Sequence, residues 1–255
     1  MAKEYASETG HWYKQDGSPC YEIEGANGTL RATTLRDARK LNLVPSVTGV
    51  MGELATPQLE TWKIKQAVTQ ARKMRKRKGE TDDQFAMRAY YEAMKQVRDR
   101  ATSGSAVHAC LDQYFSGEHF NPEYWFYIEG VLETLERLGL QHENWKSEKS
   151  FAYGGFGGKV DLHSPTIVAD FKTKEFDEDS LPSVYINHFM QLGAYRAGLE
   201  LGPVPGLILF VSVSRPGLVH PVVCKPEELD QGYAVFQGLL QVWQAKRGYK
   251  PNEES

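Results

Sequence analysis

The spacing of hydrophobic residues changes from helical to strand-like near Trp145. Before this point, apolar residues recur every three or four positions, as on one face of a helix. After it, short apolar or alternating segments are separated by turns that contain Gly and Pro, which is typical of strands. The predicted helices cover 58–100 with a break near Gly79, about 106–117, 122–138, 183–201 and 226–248. The predicted strands cover 148–153, 158–162, 167–173, 207–213 and 219–223.

These elements predict one α/β domain over residues 1–255. Its parts are a β-rich lead-in over 1–44, a helical region with a basic helix over 45–140, and an α/β core with the candidate catalytic residues over 141–250. The turn that contains Pro165 is too short for a crossover, so the strands on either side of it are expected to pair antiparallel. The predicted fold is therefore a central mixed β-sheet flanked by helices, with a helical N-terminal half.

The composition is that of a globular protein, since 41% of the 255 residues are hydrophobic and 25% are charged. The longest apolar run, Leu207–Val213, is far shorter than the roughly 20 residues that span a bilayer, and the N-terminus has no apolar signal region. We therefore expect a cytoplasmic protein with no membrane partner. Cys20, Cys110 and Cys224 lack the spacing of zinc ligands, so they are expected to be reduced, mostly buried thiols.

Positive charge is concentrated in one segment of the chain. Lys63–Lys78 contains eight basic residues and no acidic one, and removing these charges from the net charge of −3 leaves −11 on the remainder. Such a segment can hold a polyanion locally although the whole chain is acidic. We predict an exposed basic helix that binds nucleic acid, with a solvated surface helix as the alternative. Its residues are Arg72, Lys73, Arg75, Lys76, Arg77 and Lys78.

Two carboxylates and a lysine are predicted to meet at the end of a buried strand. Asp170 and Lys172 lie two apart on one strand and so share a face, and the hairpin brings Asp161 beside them. Neighbouring carboxylates raise each other's pKa unless a cation compensates, and such oxygen ligands suit Mg²⁺ or Mn²⁺. Lys172 would then orient a water or offset transition-state charge. A surface ion pair is the alternative, but the apolar residues before Asp170 favour a catalytic site.

Four more residues are candidates for the same site. Gln191 and Tyr195 lie four apart on the following helix, where both can reach a phosphate or a base; the alternative is a solvent-edge Gln and a core Tyr. His108 lies in mid-helix after Gly104, in a place that usually belongs to a core histidine. Glu148 opens a strand and is a possible additional carboxylate, with an exposed strand end as an equal alternative.

The order of these motifs resembles the PD-(D/E)XK nuclease superfamily, in particular its RecB-like exonuclease branch with its phage-type and mitochondrial genome maintenance-type members. The residues that carry the resemblance are His108, Gly158-x-x-Asp161, Asp170-Phe171-Lys172 and Gln191-x-x-x-Tyr195. The resemblance implies a restriction endonuclease-like core, and a Mg²⁺ held by His108, Asp161, Asp170 and the Phe171 main-chain carbonyl. It also implies that Lys172 is the catalytic lysine and that Gln191 and Tyr195 engage the DNA strand.

The predicted function is that of a Mg²⁺-dependent DNA exonuclease of phage recombination or DNA processing, acting in the host cytoplasm if phage-encoded. Three cysteines cannot supply the four ligands of an iron–sulfur cluster, and no P-loop sequence is present, so neither a cluster nor ATP-driven unwinding is expected. The expected partners are single-stranded DNA or a duplex end, and a phage single-strand annealing or binding protein. The alternatives are a structure-selective endonuclease and a catalytically silent DNA-binding protein of the same fold.

Overall fold

The computed structural model describes residues 8–55 and 57–251, apart from the side chains of residues 58, 59 and 96–103. The chain forms two compact units. The first unit takes the described residues up to Leu54 and from Cys110 onward, and the second unit is Ala55–Ala109. No helix among the described residues combines the length and the apolar character needed to cross a membrane.

The N-terminal segment of the first unit contains two small strand pairs and two short helices. Its strands are β1 (Trp12–Tyr13), β2 (Glu22–Glu24), β3 (Leu30–Ala32) and β4 (Val44–Pro45), and its helices are α1 (Leu35–Leu41) and α2 (Val47–Met51). β1 pairs with β4 and β2 pairs with β3, both antiparallel. Ser46 caps α2, because its hydroxyl accepts a hydrogen bond from the N–H of Gly49 at 3.0 Å.

Helix α1 lies inside the segment that the sequence pattern predicts to be β-rich, so that prediction is incomplete. Thr34 and Asp37 form a capping box, in which each side chain accepts a hydrogen bond from the other residue's main-chain N–H. The Asp37 carboxylate also receives two hydrogen bonds from Arg31, at 2.7 and 2.9 Å. A seven-residue helix shows too little periodicity to be recognised, and its cap is the local signal that identifies it.

The second unit contains α3 (Pro57–Ala71) and the first part of α4 (Asp82–Phe115). The prediction of a basic helix is wrong, because Arg72–Lys78 lie in the loop between these two helices. On a helix, like charges three and four residues apart, such as Arg72 and Lys76, would repel each other, and Gly79, at φ 78°, adopts a left-handed conformation. All six basic side chains of the loop are exposed, as predicted.

Two acidic residues that follow the basic loop form a hydrogen bond and an ion pair with it. Glu80 accepts a hydrogen bond from the main-chain N–H of Arg77 at 2.8 Å and forms an ion pair with Arg88. Lys76 pairs with Asp82 at 2.7 Å. The basic segment itself contains no acidic residue, and its acidic partners come from just beyond its end.

Helix α4 joins two helices that the sequence pattern predicts separately, since it continues through Gly104 without a break. It ends just before Gly117, at φ 71°, where the end was predicted. A 3₁₀ turn at Pro122–Tyr124 then leads into α5 (Trp125–Arg137). Gly139, also at φ 71°, follows the end of α5 as expected.

A five-stranded mixed sheet forms the centre of the first unit. Its strands are β5 (Lys146–Tyr153), β6 (Phe156–His163), β7 (Val168–Lys174), β8 (Gly206–Ser212) and β9 (Val219–Cys224), and its helices are α6 (Ile186–Gly198) and α7 (Pro226–Arg247). The strands lie in sequence order across the sheet. All neighbours pair antiparallel except β7 and β8, which are parallel and are joined through α6. The predicted α/β fold, a mixed sheet flanked by helices, is confirmed.

The two faces of β7 meet different parts of the fold. Val168 packs in a buried cluster with Met190 and Leu192 of α6. Phe171 points to the opposite face, where its ring stacks on Phe115 at the end of α4, with 5.9 Å between the ring centroids. Because side chains alternate along a strand, Asp170 is directed to the face that α6 covers.

A cluster of charged residues joins distant parts of the first unit. Arg247, at the end of α7, donates hydrogen bonds to Glu8 at 2.8 and 2.5 Å and to Glu53 at 2.5 Å. Lys246 pairs with Glu53 at 2.5 Å. The Arg247 guanidinium also lies over the Trp243 ring, 4.8 Å from its centroid. The buried charge of Arg247 is therefore compensated by two carboxylates.

Candidate active site

The first feature of the site is the point where β6 and β7 separate. The two strands pair at Leu162 with Ala169 and at His163 with Val168. One step further along, Asp161 Oδ2 accepts a hydrogen bond from the main-chain N–H of Phe171 at 2.9 Å. The carboxylate therefore takes the place of a strand carbonyl, and this bond fixes Asp161 beside the Asp170–Phe171 peptide.

Asp170 lies in the interior, with its side chain only 3% exposed. Lys172 Nζ contacts Asp170 Oδ2 at 2.5 Å, and Gln191 Nε2 donates a hydrogen bond to Oδ1 at 2.9 Å. A buried carboxylate needs such partners, because an unpaired charge in the interior is strongly unfavourable. Lys172 is itself 30% exposed, so part of its side chain is open to solvent beside the buried acid.

Gln191 connects the other members of the site through both ends of its amide. Its Oε1 accepts a hydrogen bond from Lys172 Nζ at 3.0 Å, and its Nε2 donates to Asp170 and to the Tyr195 hydroxyl, 2.9 Å away. The four-residue spacing on α6 places Gln191 and Tyr195 on one helix face, as predicted. Both side chains are buried, so Gln191 does not lie at a solvent edge.

Gly158, the glycine of the G-x-x-D motif, makes room for this arrangement. A Cβ at this position would lie 2.9 Å from the Phe151 ring and 3.0 Å from the Tyr195 ring. Phe151 and Tyr195 meet edge to face, with 6.2 Å between the ring centroids. The glycine thus lets Tyr195 pack directly on the sheet, where its hydroxyl accepts the hydrogen bond from Gln191.

Burial and charge act in opposite directions on the lysine. Burial favours the neutral form of Lys172, but the carboxylates of Asp170 and Asp161 outweigh it, and the pKa is raised. Burial raises the pKa of Tyr195 well above its usual value, and the same two carboxylates raise it further. At neutral pH the site therefore holds a charged ammonium and a neutral phenol.

The residues of the first unit fit a hard divalent cation. Asp161 and Asp170 are brought together, since both carboxylates act on Lys172 and raise its pKa. Mg²⁺ is commonly bound through one or two carboxylates while it keeps several waters. Among the residues that the structure describes, no group of three or more His, Cys, Asp or Glu side chains is placed to hold a metal ion.

The remaining predicted residues are placed as follows. His108 is half-buried on α4 in the second unit, so its part as a metal ligand stays a prediction. The basic loop residues 72–78 belong to the same unit, and their binding of nucleic acid also stays a prediction. The Phe171 main-chain N–H binds Asp161, while the role of its carbonyl as a ligand is untested.

Two further residues near the site were missed by the sequence analysis. Lys159, two residues before Asp161, forms an ion pair with Glu148 of β5. His188 lies one helical turn before Gln191, and its Nδ1 accepts a hydrogen bond from the Tyr185 N–H at 3.0 Å. Burial, together with the charges of Lys172 and Lys174, lowers the pKa of His188 to about 4. Their positions next to the D-x-K and Q-x-x-x-Y motifs are the sequence signal that was available.

Comparison with known proteins gives partial similarities only. No protein-family model and no curated protein matches the chain. The solved structure of SSO0001 matches 45% of this chain and 57% of its own, at 19% identity and a TM-score of 0.27. A structure from Eubacterium rectale, provisionally named an exonuclease, matches 57% of this chain and 68% of its own, at 13% identity and a TM-score of 0.41. Similarity at this level assigns neither a family nor an activity.

Proposed function

We propose that this protein is a metal-dependent nuclease. The observation that supports this most directly is the hydrogen-bonded set of Asp170, Lys172 and Gln191, with Asp161 fixed beside it. A protein that only binds DNA has no use for two converging carboxylates, because they repel phosphate. In metal-assisted hydrolysis of a phosphodiester, carboxylates of this kind hold the cation and a lysine offsets the negative charge that develops.

Each residue has a distinct role in this proposal. Asp161 and Asp170 would hold Mg²⁺, for which Mn²⁺ would substitute, and the bound ion would supply Lewis acidity at the phosphate. Lys172, charged at neutral pH and partly exposed, meets the phosphate or its attacking water. Gln191 holds Lys172 and Asp170 at a fixed separation, and Tyr195 holds Gln191. These supporting contacts keep the reacting groups in place without the need for the two buried side chains to touch DNA.

More specifically, we propose that this nuclease is a DNA exonuclease. It is supported by the ordered motifs that resemble RecB-like exonucleases, and by the six exposed cations of the basic loop, of which only Lys76 has an ion pair described above, with Asp82. A group of exposed cations favours a phosphate backbone as partner. The same resemblance favours a setting in phage recombination or DNA processing, with a single-strand annealing or binding protein as a partner.

Digestion of end-labelled oligonucleotides tests the proposal. Single-stranded and duplex substrates, free or blocked at one end, are incubated with Mg²⁺ and with EDTA, and a covalently closed circle is included. We expect Mg²⁺-dependent release of nucleotides from free ends and no attack on the circle. Cleavage of the circle would instead indicate an endonuclease. Absence of hydrolysis on every substrate, together with DNA binding, would indicate the catalytically silent alternative.

A further inference from the structure

Tyr185 is an exposed aromatic residue immediately before α6, the helix that carries Gln191. Its side chain is 58% exposed, and two apolar residues near it in the chain, Leu181 and Ile186, are 49% and 37% exposed. Large apolar side chains that are exposed as a group mark binding sites more often than single ones do. The end of the connection from β7 to α6 therefore presents an aromatic ring and two aliphatic side chains to solvent.

Two hydrogen bonds fix the main chain at Tyr185. Its N–H donates a hydrogen bond to His188 Nδ1 at 3.0 Å, and its carbonyl accepts one from the His188 N–H at 2.9 Å. The rings of the two residues lie next to each other, with 6.1 Å between their centroids. A group that is held in place in this way loses less conformational entropy when it binds a ligand than a flexible surface group does.

His188 connects Tyr185 to the lysine of the candidate site. Its ring packs edge to face with Phe210, with 5.7 Å between the centroids. Phe210 of β8 is in register with Lys172 of β7, so the two side chains leave the sheet on the same side. One turn beyond His188 on α6, Gln191 accepts the hydrogen bond from Lys172. Tyr185 therefore lies beside the residues that surround Lys172, on the same side of the sheet.

The exposed ring of Tyr185 has the properties that an unpaired base requires. The two residues of α6 that belong to the site, Gln191 and Tyr195, are buried and offer no surface on which a base could stack. Unpaired bases of any sequence stack on exposed aromatic side chains, because every base has a π-face. A base at the end of a duplex is already paired and stacked on its neighbour, so it gains less from such a ring.

We propose that Tyr185 stacks on an unpaired base close to the scissile phosphate, and that this contact makes the site selective for single-stranded ends. The inference rests on the proposed function, because it names the form of DNA that the same site takes. Lys172 meets the phosphate, while Tyr185 binds the base of a nearby nucleotide. The stack is present in the substrate complex and in the transition state alike, so it lowers KM and leaves kcat nearly unchanged.

Hydrolysis kinetics of the full-length protein with Mg²⁺ test the inference through four proteins. They are the wild type, Tyr185→Ala, Tyr185→Phe and, as the control, Phe126→Ala, which removes another exposed aromatic ring of the first unit. We expect Tyr185→Ala to raise KM for a single strand about tenfold and to keep kcat within about twofold. Tyr185→Phe and Phe126→Ala should keep the wild-type KM within about twofold, as should Tyr185→Ala on a blunt duplex.

Single strands with one abasic nucleotide identify the base that Tyr185 contacts. Each of the first four nucleotides from either end is made abasic in turn, and KM is measured for the wild type and for Tyr185→Ala. At one position the loss of the base should raise KM of the wild type about tenfold and that of Tyr185→Ala by about twofold or less, because the ring and the base act as a pair. Thermal unfolding of each variant shows that it is folded.

The pairing of ring and base separates this role from a structural one. An unchanged KM in Tyr185→Ala, equal losses on single strands and duplexes, or equal effects of every abasic position in both proteins would overturn the inference. If Tyr185→Ala failed to fold, the absence of any abasic position that raises KM of the wild type would still overturn it. Failure of the wild type to hydrolyse any strand would contradict the proposed function itself, whereas hydrolysis without a contribution from the ring contradicts only the role of Tyr185.

Discussion

Gln191 and Asp170 are joined by a hydrogen bond of 2.9 Å from the amide nitrogen to Oδ1, between two side chains that are both buried. The bond links β7 to α6, the helix that follows it in the chain, and the other end of the same amide accepts a hydrogen bond from Lys172. The acid, the lysine and the amide are thus fixed relative to one another before any substrate arrives. Such preorganisation is what an electrostatic catalyst requires.

Substitution of the charged pair should separate metal binding from catalysis. We expect Asp170→Ala and Lys172→Ala each to lower the maximal rate of DNA hydrolysis by at least about a hundredfold. Asp170→Ala should also weaken Mg²⁺ binding, whereas Lys172→Ala should leave it unchanged or strengthen it, because an ammonium is removed from Oδ2. Rates at saturating DNA and calorimetric Mg²⁺ titrations are the measurements.

Lys174 provides the matched control, since it is an exposed lysine two residues further along the same strand. Lys174→Ala should keep the wild-type maximal rate within about threefold, as expected for a charge outside the reacting groups. A Lys172→Ala variant that retained the wild-type rate would remove the lysine from the mechanism.

A methyl group at Gly158 should disturb both stability and the site. Gly158→Ala places a Cβ 2.9 Å from the Phe151 ring and 3.0 Å from the Tyr195 ring, and overpacking of this kind costs about 2 kcal/mol. Urea denaturation should show this loss in the free energy of unfolding, and the maximal rate should fall because Tyr195 supports Gln191. The control is Gly202→Ala, where a Cβ meets nothing within 4 Å and the change should stay below about 0.5 kcal/mol. Equal effects at the two positions would contradict the packing argument.

The stability of the protein should depend on pH through His188. Its pKa in the folded state is lowered to about 4 by burial and by Lys172 and Lys174, while an unfolded histidine has a pKa of about 6.5. Between these values the unfolded chain binds a proton that the folded protein does not, so the free energy of unfolding rises with pH across this window and levels off above it. His188→Gln removes this contribution.

Urea denaturation at pH 4.5 and at pH 7 measures the effect in both proteins. The gain in the free energy of unfolding between the two pH values should be larger in the wild type than in His188→Gln. Other groups that titrate in the window, such as His163, whose pKa is also lowered by burial, are present in both proteins and cancel in the difference. Identical gains would show that His188 titrates normally in the folded state.

Reversal of charge in the basic loop should weaken DNA binding. Changing Arg75, Lys76 and Arg77 to Glu should lower affinity for DNA of any sequence and flatten its salt dependence by about 0.7 per lost phosphate contact on a single strand. Fluorescence anisotropy at several salt concentrations measures both quantities. Thermal stability should change little, because exposed charges contribute little to folding.

Three exposed cations of the first unit serve as the control for total charge. Changing Lys14, Arg36 and Lys40 to Glu alters the net charge of the chain by the same amount. This variant should keep the wild-type salt slope, since none of these three cations belongs to the predicted DNA-binding loop. Equal losses in the two triple variants would leave only a general effect of net charge and would place the DNA path outside the loop.

The sequence predicts the sheet and the central site residues because both rest on local pattern. Alternation along β6 and β7 and the four-residue spacing on α6 are sufficient to bring Asp161, Asp170, Lys172 and Gln191 together. The sequence could not show that Tyr195 is buried or that Lys159 pairs with Glu148. These contacts depend on the packing of elements distant in the chain and on a left-handed residue within a strand.

In the basic segment, by contrast, the local pattern predicts a helix where the structure has a loop. Each of its residues has good helix propensity, but on a helix the like charges three and four positions apart would repel. The acidic residues that pair with the segment follow after Gly79. Helix α1 is missed for a similar reason, because it depends on a cap and on the Arg31–Asp37 pair rather than on periodicity. In both segments, charged side chains pair with residues a few positions away, which hydrophobic periodicity does not reveal.

The cluster around Arg247 has a consequence for the order of events in folding. Glu8 and Glu53 are translated early, whereas Arg247 is separated from them by 239 and 194 residues. Closing loops of that length is slow compared with forming a hairpin such as β5–β6, so the sheet is expected to assemble first. During synthesis, Glu8 and Glu53 cannot pair with Arg247 until α7 has left the ribosome. The ion pairs that join Glu8 and Glu53 to Arg247 therefore form only after α7 has been synthesised.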